Sequence, residues 1–129
     1  MSTLKVNTIQ NTSGGSSSTP EQIEQGRAKV WINFDGTGTV AIRDSFNISS
    51  LTDNGTGDYT LNFSNAFSND DYCLAGTAGY NSEYIANHLT GGGTTANYAT
   101  SNCRFSIRHV YNNNVADAEH VEAMIMGDQ

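Results

Sequence analysis

Three histidines, two cysteines and thirteen carboxylates are the side chains in this 129-residue chain that could handle protons, metals or nucleophilic attack. Catalysis needs a nucleophile beside a base, two carboxylates in one cleft, or a metal with an open position. None of these occurs at a recognisable spacing. There is no His-Glu-x-x-His, no phosphate-binding glycine loop and no Gly-x-Ser-x-Gly. Gly91, Gly92 and Gly93 lack the lysine and helix of a phosphate site and read as a loop tip. The run from Asp53 to Asp58 has the composition of a calcium loop but not its closing glutamate, and it reads as a hairpin turn. Asp70 and Asp71 are adjacent, so on a strand they point to opposite faces and form no acid/base pair. His109 and His120 could face each other across the last hairpin, where a trimer would triplicate either one. Without further ligands they and His88 read as surface or hydrogen-bonded histidines. Cys73 and Cys103 each lie in a strand-like run and are expected to be small buried thiols. The expectation is a protein that is not an enzyme and holds no metal or cofactor.

Binding is the chemistry the sequence does suggest. Residues 76–102 carry Tyr80, Tyr84, His88 and Tyr98 among many Asn, Thr and Gly. Tyrosine among small polar residues gives broad contact area at low entropy cost, with adaptable hydrogen bonds. These four are the candidate receptor contacts. Trp31 sits in the clearest alternating run and is expected to pack in the core.

The elements that must position these groups are strands. Val30, Ile32 and Phe34 alternate with Trp31 and Asn33. Asp35-Gly36 then turns the chain, and Val40 and Ile42 continue on a second strand. Phe46, Ile48 and Leu51 read as a third strand, and Tyr59, Leu61 and Phe63 as a fourth. The segment around Cys73 reads as a fifth. Cys103, Phe105 and Ile107 make a clear strand. The last strand sets Val121, Ala123 and Ile125 on one face and His120, Glu122, Met124 and Met126 on the other. One short helix is expected near residues 20–25, with Thr19 as N-cap, Pro20 at the first position, Gln22 completing a capping box and Gly26 as the stop. The predicted fold is all-β: an antiparallel β-sandwich, jelly-roll-like, with an extended N-terminal arm. Residues 1–19 form the arm and a flexible Gly/Ser linker, and residues 20–129 the sandwich domain.

Composition agrees and narrows the partners. Apolar residues make up 36% and charged residues 15%, against roughly 45–50% and 25% in an ordinary globular protein. A domain this small buries only about two-thirds of its unfolded surface, so packing against copies of itself would strengthen a thin core. The net charge of −7, with only six Lys and Arg, excludes a basic footprint for nucleic acid and attraction to anionic lipid. No apolar run is long enough to span a membrane, and the first ten residues have no secretory apolar region, so synthesis in a cytoplasm is expected.

The opening Met-Ser-Thr-Leu-Lys-Val-Asn-Thr-Ile-Gln-Asn-Thr-Ser-Gly-Gly (residues 1–15) resembles the start of tail-fibre and related virion proteins of marine and cyanobacterial phages. The stretch from Gln22 to Tyr59, containing Lys-Val-Trp-Ile-Asn-Phe-Asp-Gly-Thr-Gly-Thr-Val-Ala-Ile-Arg-Asp-Ser-Phe, is similar to segments of the same proteins. The resemblance implies a homotrimer located in the virion. It implies an N-terminal segment docked on other virion proteins, with Leu4, Val6 and Ile9 as the docking side chains. It also implies a head that meets a glycan or protein on the host surface. Long fibres have repetitive shafts and this chain has none, so a short fibre or fibre tip is implied. The alternative is a capsid decoration protein or tail adaptor that binds only virion proteins.

Overall fold

The computed structural model describes residues 1–79, the backbone of 87–90, and residues 97–110 and 112–129. It is an antiparallel β-sandwich with one short α-helix among the described residues, as the period-two pattern predicts.

The chain opens with a small hairpin, β1 (Ile9–Gln10) against β2 (Ser17–Ser18). The Gly/Ser segment expected as a linker therefore closes back on the arm through Gly14, whose φ of 79° suits a turn. Helix α1 (Pro20–Gln25) follows. The Thr19 hydroxyl accepts from the Gln22 amide at 3.2 Å, and the Gln22 side chain accepts from the Thr19 amide at 2.9 Å. The Gly26 amide donates back to the Gln22 carbonyl and ends the helix. No side chain of α1 is buried. Lys29 ties it to the sandwich: it is 2% exposed, its backbone amide donates to the Ile125 carbonyl, and its ammonium meets the Glu24 carboxylate. That hydrogen bond from Lys29 holds the Glu24 carboxyl below the usual carboxylate range.

Nine further strands form one sheet that folds over into two layers. The first layer runs β4 (Ala41–Phe46), β3 (Val30–Asp35), β11 (His120–Met126), β7 (Cys73–Gly79). The second runs β8 (Asn87–Thr90), β10 (Asn102–His109), β6 (Asp58–Phe63), β5 (Ile48–Gly55), with β9 (Asn97–Ala99) also on β10. Pairing of Thr77 with His88 and Ala78 with Asn87 joins the layers at one corner.

The core lies between them. Val30, Ile32 and Phe34 of β3 and Val121, Ala123 and Ile125 of β11 face Tyr59 and Leu61 of β6 and Cys103, Phe105 and Ile107 of β10, all 0–5% exposed. The Phe34 and Tyr59 rings meet edge-on at 5.0 Å across the gap. One end is closed by Phe63, Phe67 and Tyr72, the last donating its hydroxyl to the carbonyls of Ala99 and Asn102. At the other end the Tyr59 hydroxyl reaches the Gly36 carbonyl at 2.9 Å and the Asp117 carboxylate at 2.8 Å.

Two details of the predicted topology change. Phe46 ends β4 and does not join Ile48 in one strand. Asn47 stands between them at φ 60°, a left-handed corner its amide tolerates, and the chain crosses there from the edge of one layer to the edge of the other. Asn47 is clamped in place, accepting the Asn65 amide at 2.7 Å and donating to the Asn65 carbonyl. Second, β10 and β11 are not hairpin partners. They lie in opposite layers, so His109 and His120 do not face each other across a ladder. Both cysteines are free thiols, as expected, Cys73 on β7 of the first layer and Cys103 on β10 of the second.

Candidate functional site

The two outer faces of the sandwich differ sharply in chemistry. On the outside of the second layer, Asp58, Thr60 and Asn62 of β6 face outward beside Ser50, Thr52 and Asn54 of β5. These short polar side chains bond one another. Asn62 donates to Ser50 Oγ at 3.0 Å and Thr52 Oγ1 at 3.1 Å, and Asn54 donates to Thr60 Oγ1 at 2.9 Å. Arg104 of β10 forks onto Asp58 at 2.8 and 2.6 Å, and that bond keeps the Asp58 carboxyl below its ordinary range. This is a solvated, self-satisfied surface.

The outside of the first layer carries an apolar row beside a polar one. Because Val30, Ile32 and Phe34 take the inward phase of β3, Trp31 must point out; it is 38% exposed and is not the core residue predicted. Register places Phe46 opposite Trp31, Trp31 opposite Met124, and Met124 opposite Ala75. The row Phe46–Trp31–Met124–Ala75 thus crosses all four strands, a span of about 14 Å at the usual strand spacing. Phe46 is 51% and Met124 47% exposed. A hollow of about 470 Å³ lies at the β7 end of this row, with Ala75, Gly76 and Ala123 as a low floor and Trp31 and Met124 as walls. One step along each strand is a polar row of Asp44, Asn33, Glu122 and Thr77. There Asn33 donates to Glu122 at 3.3 Å, while its own Oδ1 is shielded from water without a hydrogen-bond partner. A shielded acceptor left unpaired costs about 1–3 kcal/mol.

The sequence carried a signal for this face that composition hides. β3, β4 and β11 hold large apolar side chains in the outward phase as well as the inward one, which a strand with one face in water does not need.

The predicted contact residues are dispersed. Leu4 is 84%, Val6 39% and Ile9 53% exposed; they line a shallow hollow together with Pro20 and Ile23 of α1. Tyr98, on β9, is half-buried and stacks edge-on against Tyr72 at 5.3 Å, so its ring extends the aromatic end of the core. His88 is placed only through its backbone, in β8 opposite Thr77 and Arg108. Tyr80 and Tyr84 lie outside the described residues, as do Gly91, Gly92 and Gly93.

The groups considered for chemistry are engaged elsewhere. Asp53 accepts the Gly55 amide at 2.9 Å within the hairpin turn, and Asp58 is clamped by Arg104. Asp35 accepts both the hydroxyl and amide of Thr37, which hold its carboxyl below the usual carboxylate range, and ion-pairs with Arg43. Cys103 is fully buried and burial pushes its thiol up to about 12, whereas Cys73, expected in the core, is exposed because it takes the outward phase of β7. Among the described residues no three His, Cys, Asp or Glu side chains are arranged to hold a metal ion, and no helix is long and apolar enough to cross a membrane. No family model, curated protein or solved structure matches this chain.

Proposed function

We propose that this chain is a non-enzymatic structural protein of a phage particle, a trimeric tail-fibre protein anchored through its N-terminal arm and contributing to adhesion on the host surface. The observation that carries the reading is the arm itself. Every residue from Met1 to Ser17 is exposed, yet Leu4, Val6 and Ile9 keep apolar side chains there. An apolar arm outside a complete core is a segment built to dock on another protein. The resemblance of residues 1–15 and of Gln22 to Tyr59 to tail-fibre and related virion proteins supplies the particle. The same arm would serve a capsid decoration protein or a tail adaptor, and adhesion separates the two readings.

The test removes residues 1–18, a cut that leaves Thr19 to cap α1. The shortened chain should keep its thermal transition and its binding to host cells but fail to enter assembling particles. Normal incorporation would overturn the arm as anchor. Failure of the intact protein to bind host cells would overturn adhesion in favour of the decoration or adaptor role.

A further inference from the structure

We propose that the hollow on the outer face of the first layer is a saccharide site, which takes one neutral pyranose ring flat against Trp31 with its hydroxyls turned to Glu122 and Thr77. This rests on the adhesion reading above and names the ligand class and the surface that adhesion would use.

Three observations select a neutral sugar. The first is the meeting of two chemistries in one hollow. The apolar row supplies the Trp31 ring, Met124 and the low floor of Ala75 and Gly76. The polar row, one step along the same strands, supplies Glu122 and Thr77. At the usual strand spacing and rise the hollow covers about 10 by 7 Å from β3 to β7. Its volume of about 470 Å³ falls in the roughly 300–1,000 Å³ range of small-molecule sites. A pyranose has the matching division, with C–H groups over one face and hydroxyls around its rim. The negative face of an indole attracts those C–H groups, and a few placed polar groups fix the orientation. A wholly apolar ligand would instead cover Glu122 and Thr77 without giving them partners. The second observation is charge. Glu122 is exposed and takes one bond, from Asn33 at 3.3 Å, which positions the carboxylate and leaves its second oxygen for a ligand hydroxyl. A hydroxyl bonded to a carboxylate makes a strong, charge-assisted hydrogen bond. Among the described residues no Lys or Arg lines the hollow, and Asp44 stands in the same polar row. Anionic sugars and phosphates are repelled there, and a neutral polyol is not. The third observation is the backbone. β11, which runs under the hollow, is paired on both sides, with β3 and with β7. Its amides and carbonyls belong to those ladders, so an extended peptide finds no strand edge to add to. Recognition in the hollow runs through side chains alone.

Trp31 is the only tryptophan in the chain, so tryptophan fluorescence reports on this hollow. The experiment applies the full chain to an array of neutral oligosaccharides built from hexose, deoxyhexose and N-acetylhexosamine units, with uronate and sulfated oligosaccharides beside them. The strongest neutral binder is then titrated by fluorescence and by calorimetry. A neutral member should bind saturably and shift the Trp31 emission, and the acidic members should not bind. Trp31→Ala should abolish the calorimetric binding, and Glu122→Gln should weaken it about tenfold. Phe46→Ala, in the same row but outside the hollow, and Thr52→Ala, on the opposite face, should leave it unchanged. Circular dichroism verifies that each variant keeps the wild-type melting transition. Glu122→Gln changes an exposed side chain and keeps an acceptor for Asn33, so it tests the site even if Trp31→Ala unfolds. An array without a neutral binder, or binding unchanged in both hollow variants, would overturn the saccharide site; host-cell binding by the same chain would then leave adhesion standing on another surface. Preference for the acidic members would overturn the neutral ligand. Neutral binding lost in both hollow variants, by a chain that does not bind host cells, would uphold the site and overturn adhesion.

Discussion

Cys73 and Cys103 carry the same thiol in opposite surroundings. The alternation of β7 turns Cys73 outward, and the alternation of β10 turns Cys103 inward among Phe105, Leu61 and the aromatic end of the core. Only the thiolate is nucleophilic, and burial disfavours it. Alkylation of the native protein with iodoacetamide should therefore place one label per chain, on Cys73, and a second should appear only after unfolding. Two labels under native conditions would show that the β10 thiol is accessible. Asp58 supplies a second check at this scale. Its folded carboxyl, bonded by Arg104, titrates below the value of about 3.9 it has in an unfolded chain. Its contribution to stability is complete above that value and is lost as pH falls through the folded one. Asp58→Asn should lower the melting temperature near neutral pH and flatten its decline between about pH 5 and pH 2. A decline as steep as wild type would place the acid sensitivity elsewhere.

At the scale of elements, turns hold the two layers in register, and two glycines separate conformational need from packing need. Gly38 and Gly57 both have left-handed φ, 59° and 62°. A methyl at Gly38 would meet nothing within 4 Å, whereas one at Gly57 would stand 2.7 Å from the Ala116 amide nitrogen and 2.9 Å from the Ile107 carbonyl oxygen. Gly38→Ala should cost only the left-handed penalty, about 1 kcal/mol. Gly57→Ala adds a backbone collision between the β5–β6 turn and the segment after β10, and should cost about 3 kcal/mol or more. Urea midpoints measure the difference; equal costs would mean the 116–118 segment yields freely. Helix α1 was legible in full, because Thr19, Pro20, Gln22 and Gly26 act within seven residues of one another. The corner at Asn47 was not. Its clamp is Asn65, eighteen residues away, and nothing local distinguishes a left-handed Asn from an ordinary one inside an apolar run.

For the whole molecule, the described surface is divided into an arm with exposed apolar side chains at Leu4, Val6 and Ile9, a sheet face crossed by an apolar row, and a polar sheet face. The division predicts an acidic protein that self-associates through its uncovered apolar area. Such association should persist in high salt, because salt screens charge repulsion between copies and does not weaken apolar burial. Light scattering at about 0.1 M and 1 M salt checks this; dissociation at high salt would mean that ion pairs hold the copies together. The sequence by itself determined the class of fold, the helix and its caps, the identity of the inward-facing residues on β3, β6, β10 and β11, and the exposure of an apolar arm. Those follow from periods of two residues and from contacts within one turn of chain. Only the tertiary structure decided which strands share a layer, that β10 and β11 are apart, that Cys73 faces outward, and that Phe46, Trp31, Met124 and Ala75 line up. A strand's alternation says which side chains share a face, but not which strand lies beside it. A row across four strands exists only once the register between residues 31, 46, 75 and 124 is set by the fold.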